Sequence, residues 1–321
     1  MEFAAQVRDR VIPAVPVPFD ESGEIDGELQ DQYVTWMAGQ AIGGVAVWAH
    51  TGRGMKLTDG QREAVLRAWR SGLPDTALVC GVGVPESRPL PADAAARKQA
   101  VLAAAASVAD DAKRGGADAL LAHPPKALAD IPARDQAIVE YHETLVATGL
   151  PVIAFFLYEA AGGLSYAPEL IRAILSLDGV VGIKVATLDS VMTYQDILAI
   201  VRARGETLAI TGEDRFLGYS LAVGARSALI GMGAALTDVA AALLAARARG
   251  TWDEFIRLSS ALDDFARATF VVPMEGYVQR MLWALEADGV MSRAASDPWC
   301  PPLEPGDRDR VFAAVRALRS S

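Results

Sequence analysis

The 321-residue chain is 52% hydrophobic and 22% charged, a globular composition with ample apolar side chain for a core and no bias toward disorder. A net charge of −10 with no basic run longer than two residues argues against a nucleic-acid partner. The charge-free apolar stretch Thr144 to Tyr158 is broken by Gly149 and Pro151 and is too short to span a bilayer, and no membrane partner is expected.

Along the chain, short apolar stretches alternate with longer helical ones, the pattern of βα units and a parallel sheet. The predicted strands are Ile12–Val17, Gly44–Trp48, Ala77–Val82, Ala119–Ala122, Val152–Leu157, Val180–Lys184, Leu208–Thr211 and Ala228–Ile230. Between and after them the periodicity predicts helices near 26–39, 59–72, 92–114, 133–148, 167–177, 189–204, 214–224 and 235–249. Gly72, Gly149, Gly205 and Gly250 stand where several of these should stop. Eight such units in about 250 residues fit a (β/α)8 TIM barrel better than a doubly wound sheet, and no GxGxxG fingerprint follows the first strand. Residues 1–250 are therefore read as a barrel catalytic domain. Residues 251–321 read as a C-terminal helical extension, with helices near 252–270, 275–288 and 307–319 and a loop over Ser296–Gly306.

The opening MEFAAQVRDR carries no secretory signal pattern, and a cytoplasmic location is expected. Cys80 and Cys300 have neither disulfide-scaffold nor CxxC spacing. His50, His123 and His142 lack metal-site spacing, so no metal is expected.

In such a barrel, chemistry sits just beyond the C-terminal ends of the strands. One of only five lysines among thirty basic residues, Lys184, ends the sixth strand in Gly-Val-Val-Gly-Ile-Lys-Val-Ala-Thr. An inward lysine there is desolvated, its pKa falls and its amine is free to attack a carbonyl; alternatively it reaches solvent or pairs with Asp189 or Glu213. Tyr158 follows the fifth strand, where a phenol can relay protons or simply be a satisfied core hydroxyl. Thr51-Gly52 follows the second strand and offers a hydroxyl and backbone N–H groups for a carboxylate, or plain turn chemistry.

These features resemble the dihydrodipicolinate synthase / N-acetylneuraminate lyase family of class I aldolases. The similarity is carried by Ile12-Pro-Ala-Val-Pro-Val-Pro-Phe-Asp20, Gly43-Gly44, Thr51-Gly52 with Leu57-Thr58, Gly81-Val-Gly83, Gly115-Gly-Ala-Asp118, Leu157-Tyr158, Gly182-Ile-Lys184 and Thr211-Gly-Glu-Asp214. It implies a barrel with a three-helix extension, usually tetrameric, in which Lys184 forms a Schiff base with a 2-oxo acid and Tyr158 occupies the tyrosine position. It also implies that Gly212 and Leu229 border the pocket.

Three departures bear on specificity. The family's usual Gly-Thr-Thr-Gly-Glu is here Ala49-His50-Thr51-Gly52-Arg53. The tyrosine that in dihydrodipicolinate synthases follows the fourth strand's proline, completing a triad across a subunit interface, is missing from His123-Pro-Pro-Lys126. Tyr158-Glu-Ala-Ala-Gly-Gly163 lacks the arginine that would bind a dicarboxylate product.

The expected function is a Schiff-base-forming lyase, aldolase or dehydratase, acting on a 2-oxo acid such as pyruvate or a 2-keto-3-deoxy sugar acid, without a cofactor. Lys184 is the nucleophile and Tyr158 the proton shuttle. His50 is a second acid/base or carboxylate ligand, and Thr51 with Gly52 holds the carboxylate. The alternatives are a dihydrodipicolinate synthase proper and a non-catalytic oxo-acid-binding barrel. A homo-oligomer, tetramer or dimer, is expected; Arg53, Lys126 and Glu159 are candidates for shaping specificity.

Overall fold

In the computed structural model, which describes residues 2–320, eight parallel strands alternate with helices around a barrel. The strands are β1 (Val11–Pro13), β2 (Gly44–Val47), β3 (Ala77–Val82), β4 (Ala119–Ala122), β5 (Val152–Leu157), β6 (Val180–Ala186), β7 (Leu208–Thr211) and β8 (Ser227–Ile230). Each pairs with its sequence neighbour and β8 pairs with β1. A parallel bridge between Ala14 and Ala46, with the Val15 N–H donating to the Ala46 carbonyl at 3.1 Å, closes the ring.

Helix α1 (Glu2–Val7) precedes β1, and its Phe3 and Val7 join the cluster of inward side chains. Helices α2 (Gly27–Ala38), α3 (Asp59–Gly72), α4 (Ala94–Arg114), α5 (Arg134–Val146), α6 (Pro168–Leu175), α7 (Val191–Arg202), α8 (Leu217–Ala222) and α9 (Thr237–Arg249) follow β2's predecessor and β2 to β8 in turn. Their starts are set by local side chains. Asp26, Asp93 and Ser190 cap α2, α4 and α7, and Thr58 and Gln61 form a capping box on α3. Beyond Gly250, helix α10 (Trp252–Thr269) packs on α9, and α11 (Tyr277–Ala287) and α12 (Asp307–Arg319) pack against each other.

Two apolar shells result. Ile153, Phe155 and Leu157 face inward with Ile12, Leu121, Ile210 and Leu229, while Ala154 and Phe156 face the surrounding helices. The same period of two sends Ile183 and Val185 outward and Ala186 inward. Lys184 therefore points into the barrel, in register with Phe155 on β5 and Ile210 on β7.

Several predicted boundaries move. The first strand stops at Pro13 rather than Val17, because prolines at 13, 16 and 18 cannot donate to a ladder. The sixth runs two residues past Lys184. The eighth helix begins at Leu217, since Asp214 and Arg215 are drawn into hydrogen bonds to the Met232 N–H and the Phe270 carbonyl. Helix α1 was not expected from periodicity.

Candidate active site

Beyond β2 the chain turns sharply. Trp48 takes a left-handed conformation, and Gly54 and Gly81 approach its carbonyl so closely that a Cβ would lie 2.0 and 2.2 Å from the oxygen. This turn delivers His50 and Thr51 to the barrel mouth. There they meet Lys184, Tyr158, Phe155, Gly212, Asp214 and Gly231 from the other strand ends, and Phe270, Met274 and Tyr277 from the C-terminal region, around one small chamber.

Lys184 is 6% exposed, with its Nζ 4.2 Å from the centre of the Phe155 ring. Burial pushes its amine down to about 8, against the opposing pull of Asp214 and Glu213. Burial in turn raises Asp214, although the Met232 N–H and the lysine charge favour its ionised form. Glu213 is raised to about 7 by burial, and its carboxylate accepts from the Thr187 and Leu188 N–H groups and the Thr187 hydroxyl. Gly212 makes room for the lysine: a Cβ there would stand 2.6 Å from Lys184 Cε.

Tyr158 continues the β5–β6 ladder, its N–H donating to the Ala186 carbonyl at 3.0 Å, and its half-buried hydroxyl has no protein partner among the described residues. Burial raises its phenol above the ordinary tyrosine value. Thr51 is buried and its Oγ1 lies 3.0 Å from the Tyr277 hydroxyl. The N–H groups of Thr51 and Gly52 donate to no protein acceptor among the described residues. Gly52 packs against the Val15 carbonyl and is not among the lining residues; Leu229, expected to border the pocket, is instead buried in the barrel interior, and Gly231 two residues on takes that place.

His50 is held at both ring nitrogens. Its Nδ1 is 3.0 Å from the Tyr277 hydroxyl and its Nε2 is 3.2 Å from Glu275 Oε1. Burial pushes Glu275 up, but the hydrogen bonds and charges of His50 and Arg53 outweigh it and hold the carboxyl at about 2. Arg53 reaches Glu275 with one arm and Asp297 with the other, at 2.7 Å. It is thus a buried tie between the β2 turn and the C-terminal region, and its guanidinium does not face the chamber.

The chamber measures about 40 Å³, room for only a few atoms. Over His50, Leu157 and Ala161 it adjoins a cleft of about 610 Å³, whose walls include Met55, Val84, Leu90, Pro124 and Pro125, with His123 and Lys126 among the polar groups. Glu159 is exposed beside Tyr158.

Lys184, Tyr158, His50, Thr51 and Gly212 are brought together as their strand-end positions implied. The contributions of Glu275, Tyr277, Phe270 and Met274 are not visible in the strand pattern. Their one sequence signal is the aromatic content of Phe270–Tyr277, which interrupts two helical stretches.

Residues 8–318 match the dihydrodipicolinate synthetase family. A 4-hydroxy-tetrahydrodipicolinate synthase of Synechococcus sp. (strain CC9605) is 26% identical over 317 residues, 97% of this chain and 96% of that protein. The dihydrodipicolinate synthase of Agrobacterium tumefaciens str. C58 shares the fold with a TM-score of 0.81 at 20% identity, covering 98% of this chain and 99% of that one. So does YagE, a prophage protein of the dihydrodipicolinic acid synthase family from E. coli K12 solved in complex with pyruvate, with a TM-score of 0.77 at 18% identity and coverage of 96% and 98%. With the match extending over nearly its whole length, the chain belongs to the dihydrodipicolinate synthetase family, whose members are class I aldolase-type lyases.

Proposed function

We propose that this protein forms a Schiff base between Lys184 and the ketone of a 2-oxo acid, and uses it to make or break the adjacent carbon skeleton as an aldolase or dehydratase. The observation that carries the reading is the buried, inward amine of Lys184 on β6, lowered to about 8 beside Phe155 and two carboxylates. At that value roughly a tenth of the amine is unprotonated at pH 7, against roughly one part in 3,000 for an ordinary lysine. The pyruvate complex of the E. coli relative supports a small oxo acid as the electrophile.

In this scheme the neutral amine attacks the ketone carbon, and Tyr158 carries protons to and from the carbinolamine as water leaves. The free N–H groups of Thr51 and Gly52 receive the substrate carboxylate. The resulting iminium withdraws the electron pair left when the C3–C4 bond breaks or a C3 proton departs. A chamber of this size holds the oxo-acid end alone, so the remaining carbons lie in the outer cleft.

A dihydrodipicolinate synthase proper is the second reading, favoured by the name of the Synechococcus relative. Against it stands Arg53, whose guanidinium is bound to Asp297 and Glu275 and is not available to a dicarboxylate. We also place the protein in a homo-oligomer, supported by Trp252 and Ile256, which lie one turn apart on α10 and are 54% and 63% exposed.

The test is cyanoborohydride reduction with pyruvate followed by peptide mass spectrometry. A reduced adduct on Lys184, absent from Lys184→Ala with its fold intact, is the expected result. The absence of an adduct from pyruvate and from a panel of larger oxo acids would overturn the reading.

A further inference from the structure

We infer that Tyr277, His50 and Glu275 form a proton relay supplied within one chain, in which the Tyr277 phenol is the acid/base facing the Schiff-base carbon and Glu275 is a positioning residue. The inference rests on the imine reading and assigns the proton transfer that follows it.

The geometry is that of a hydroxyl, an imidazole and a carboxylate in series. Glu275 can only accept, so its 3.2 Å contact makes His50 Nε2 the donor. In the neutral ring Nδ1 is then the acceptor, and the Tyr277 hydroxyl 3.0 Å away donates to it. The Tyr277 oxygen is left to accept from Thr51 Oγ1 at 3.0 Å. The Tyr277 ring is fixed between Phe270, with centroids 4.9 Å apart and nearly parallel planes, and His50, with centroids 5.9 Å apart. Arg53 anchors the far side of Glu275.

The relay also has direction. Tyr277 lines the chamber that holds Lys184, Glu275 lines the outer cleft, and His50 lines both. It stands where the departures of the sequence leave a vacancy, since His50 replaces the threonine that would precede Thr51 and no tyrosine follows Pro124.

With pyruvate as the iminium, the step balances as follows. The C3–H pair becomes the C2=C3 π bond, and the C2=N⁺ π pair becomes the nitrogen lone pair of the enamine. The C3 proton passes to the Tyr277 oxygen as the phenolic proton passes to His50 Nδ1, leaving an imidazolium against Glu275. The reverse step protonates the enamine.

The 321-residue protein is mixed with pyruvate in D2O, and loss of the methyl proton signal is followed by NMR. Cyanoborohydride capture on Lys184 is measured separately. Tyr277→Phe, which keeps the stacked ring, should capture pyruvate within about twofold of the native rate while exchange falls at least tenfold, roughly 100-fold being ordinary for a positioned acid/base. His50→Asn should behave alike, and Glu275→Gln should lose less exchange, again with capture intact. Native exchange in Tyr277→Phe with capture retained overturns the relay and leaves the imine reading standing. Loss of capture together with exchange also overturns it, because Tyr277 would then serve only the architecture of the site. No capture by the native protein overturns both.

Discussion

A protonated amine cannot attack a ketone, so the residues that decide the charge of Lys184 decide the first step. Burial and the two nearby carboxylates act in opposite senses, and burial prevails. Capture of pyruvate should therefore rise with pH and level off above about 8. Asp214→Asn removes a charge that favours the ammonium while keeping an oxygen for the Met232 N–H, so the rise should move to lower pH; the capture rate measured between pH 6 and 9 checks this. An unmoved profile would show that Asp214 does not set the amine's charge. Lys184 and Tyr158 stood out in the sequence because each is a polar residue near the C-terminal end of an apolar strand, where such a residue needs a reason. Tyr277 and Glu275 were not, because strand alternation locates strand ends and says nothing of what a distant loop lays over them. The replacement of the usual glutamate by Arg53 was visible, but its partners Asp297 and Glu275 lie more than 200 residues away, beyond the reach of local pattern.

At the level of elements, the eight strands and most helices followed from apolar stretches, caps and glycine stops, all local signals. The misplaced ends were those set by tertiary contact or by missing donors, as at Pro13 and Leu217. The loop between α10 and α11 is the element on which the site most depends, and one side chain organises it. Arg280 is fully buried, pairs with Asp307 at 2.7 Å, and donates to the carbonyls of Thr269, Val271 and Pro273. Arg280→Met would leave those carbonyls unpaired and deprive Asp307 of its buried partner, although Arg310 still reaches the carboxylate. A loss of about 3–5 kcal/mol is expected, read as a lower urea midpoint. Proton exchange into pyruvate should fall more than capture does, because the loop carries Glu275 and leads into Tyr277 whereas Lys184 stands on β6. Equal losses of both would place Arg280 outside the positioning of the relay.

For the whole molecule, a relay drawn from one chain separates assembly from chemistry. Where a family tyrosine crosses a subunit interface, dissociation removes an acid/base; here the hydroxyl comes from the protomer's own α11. Charging the exposed face of α10 with Trp252→Glu and Ile256→Glu should reduce the mass measured by light scattering while exchange per protomer stays within about twofold. A mass unchanged by the pair would show that this face is not an interface, and exchange lost with the mass would show that the site needs its neighbour. The position of that helix also has a meaning in time. During synthesis the eight strands and Lys184 leave the ribosome well before residues 270–277. Until those residues arrive, the mouth above Lys184 lacks Phe270 and Tyr277, so the burial that lowers its amine is complete only once the last helices cover the strand ends.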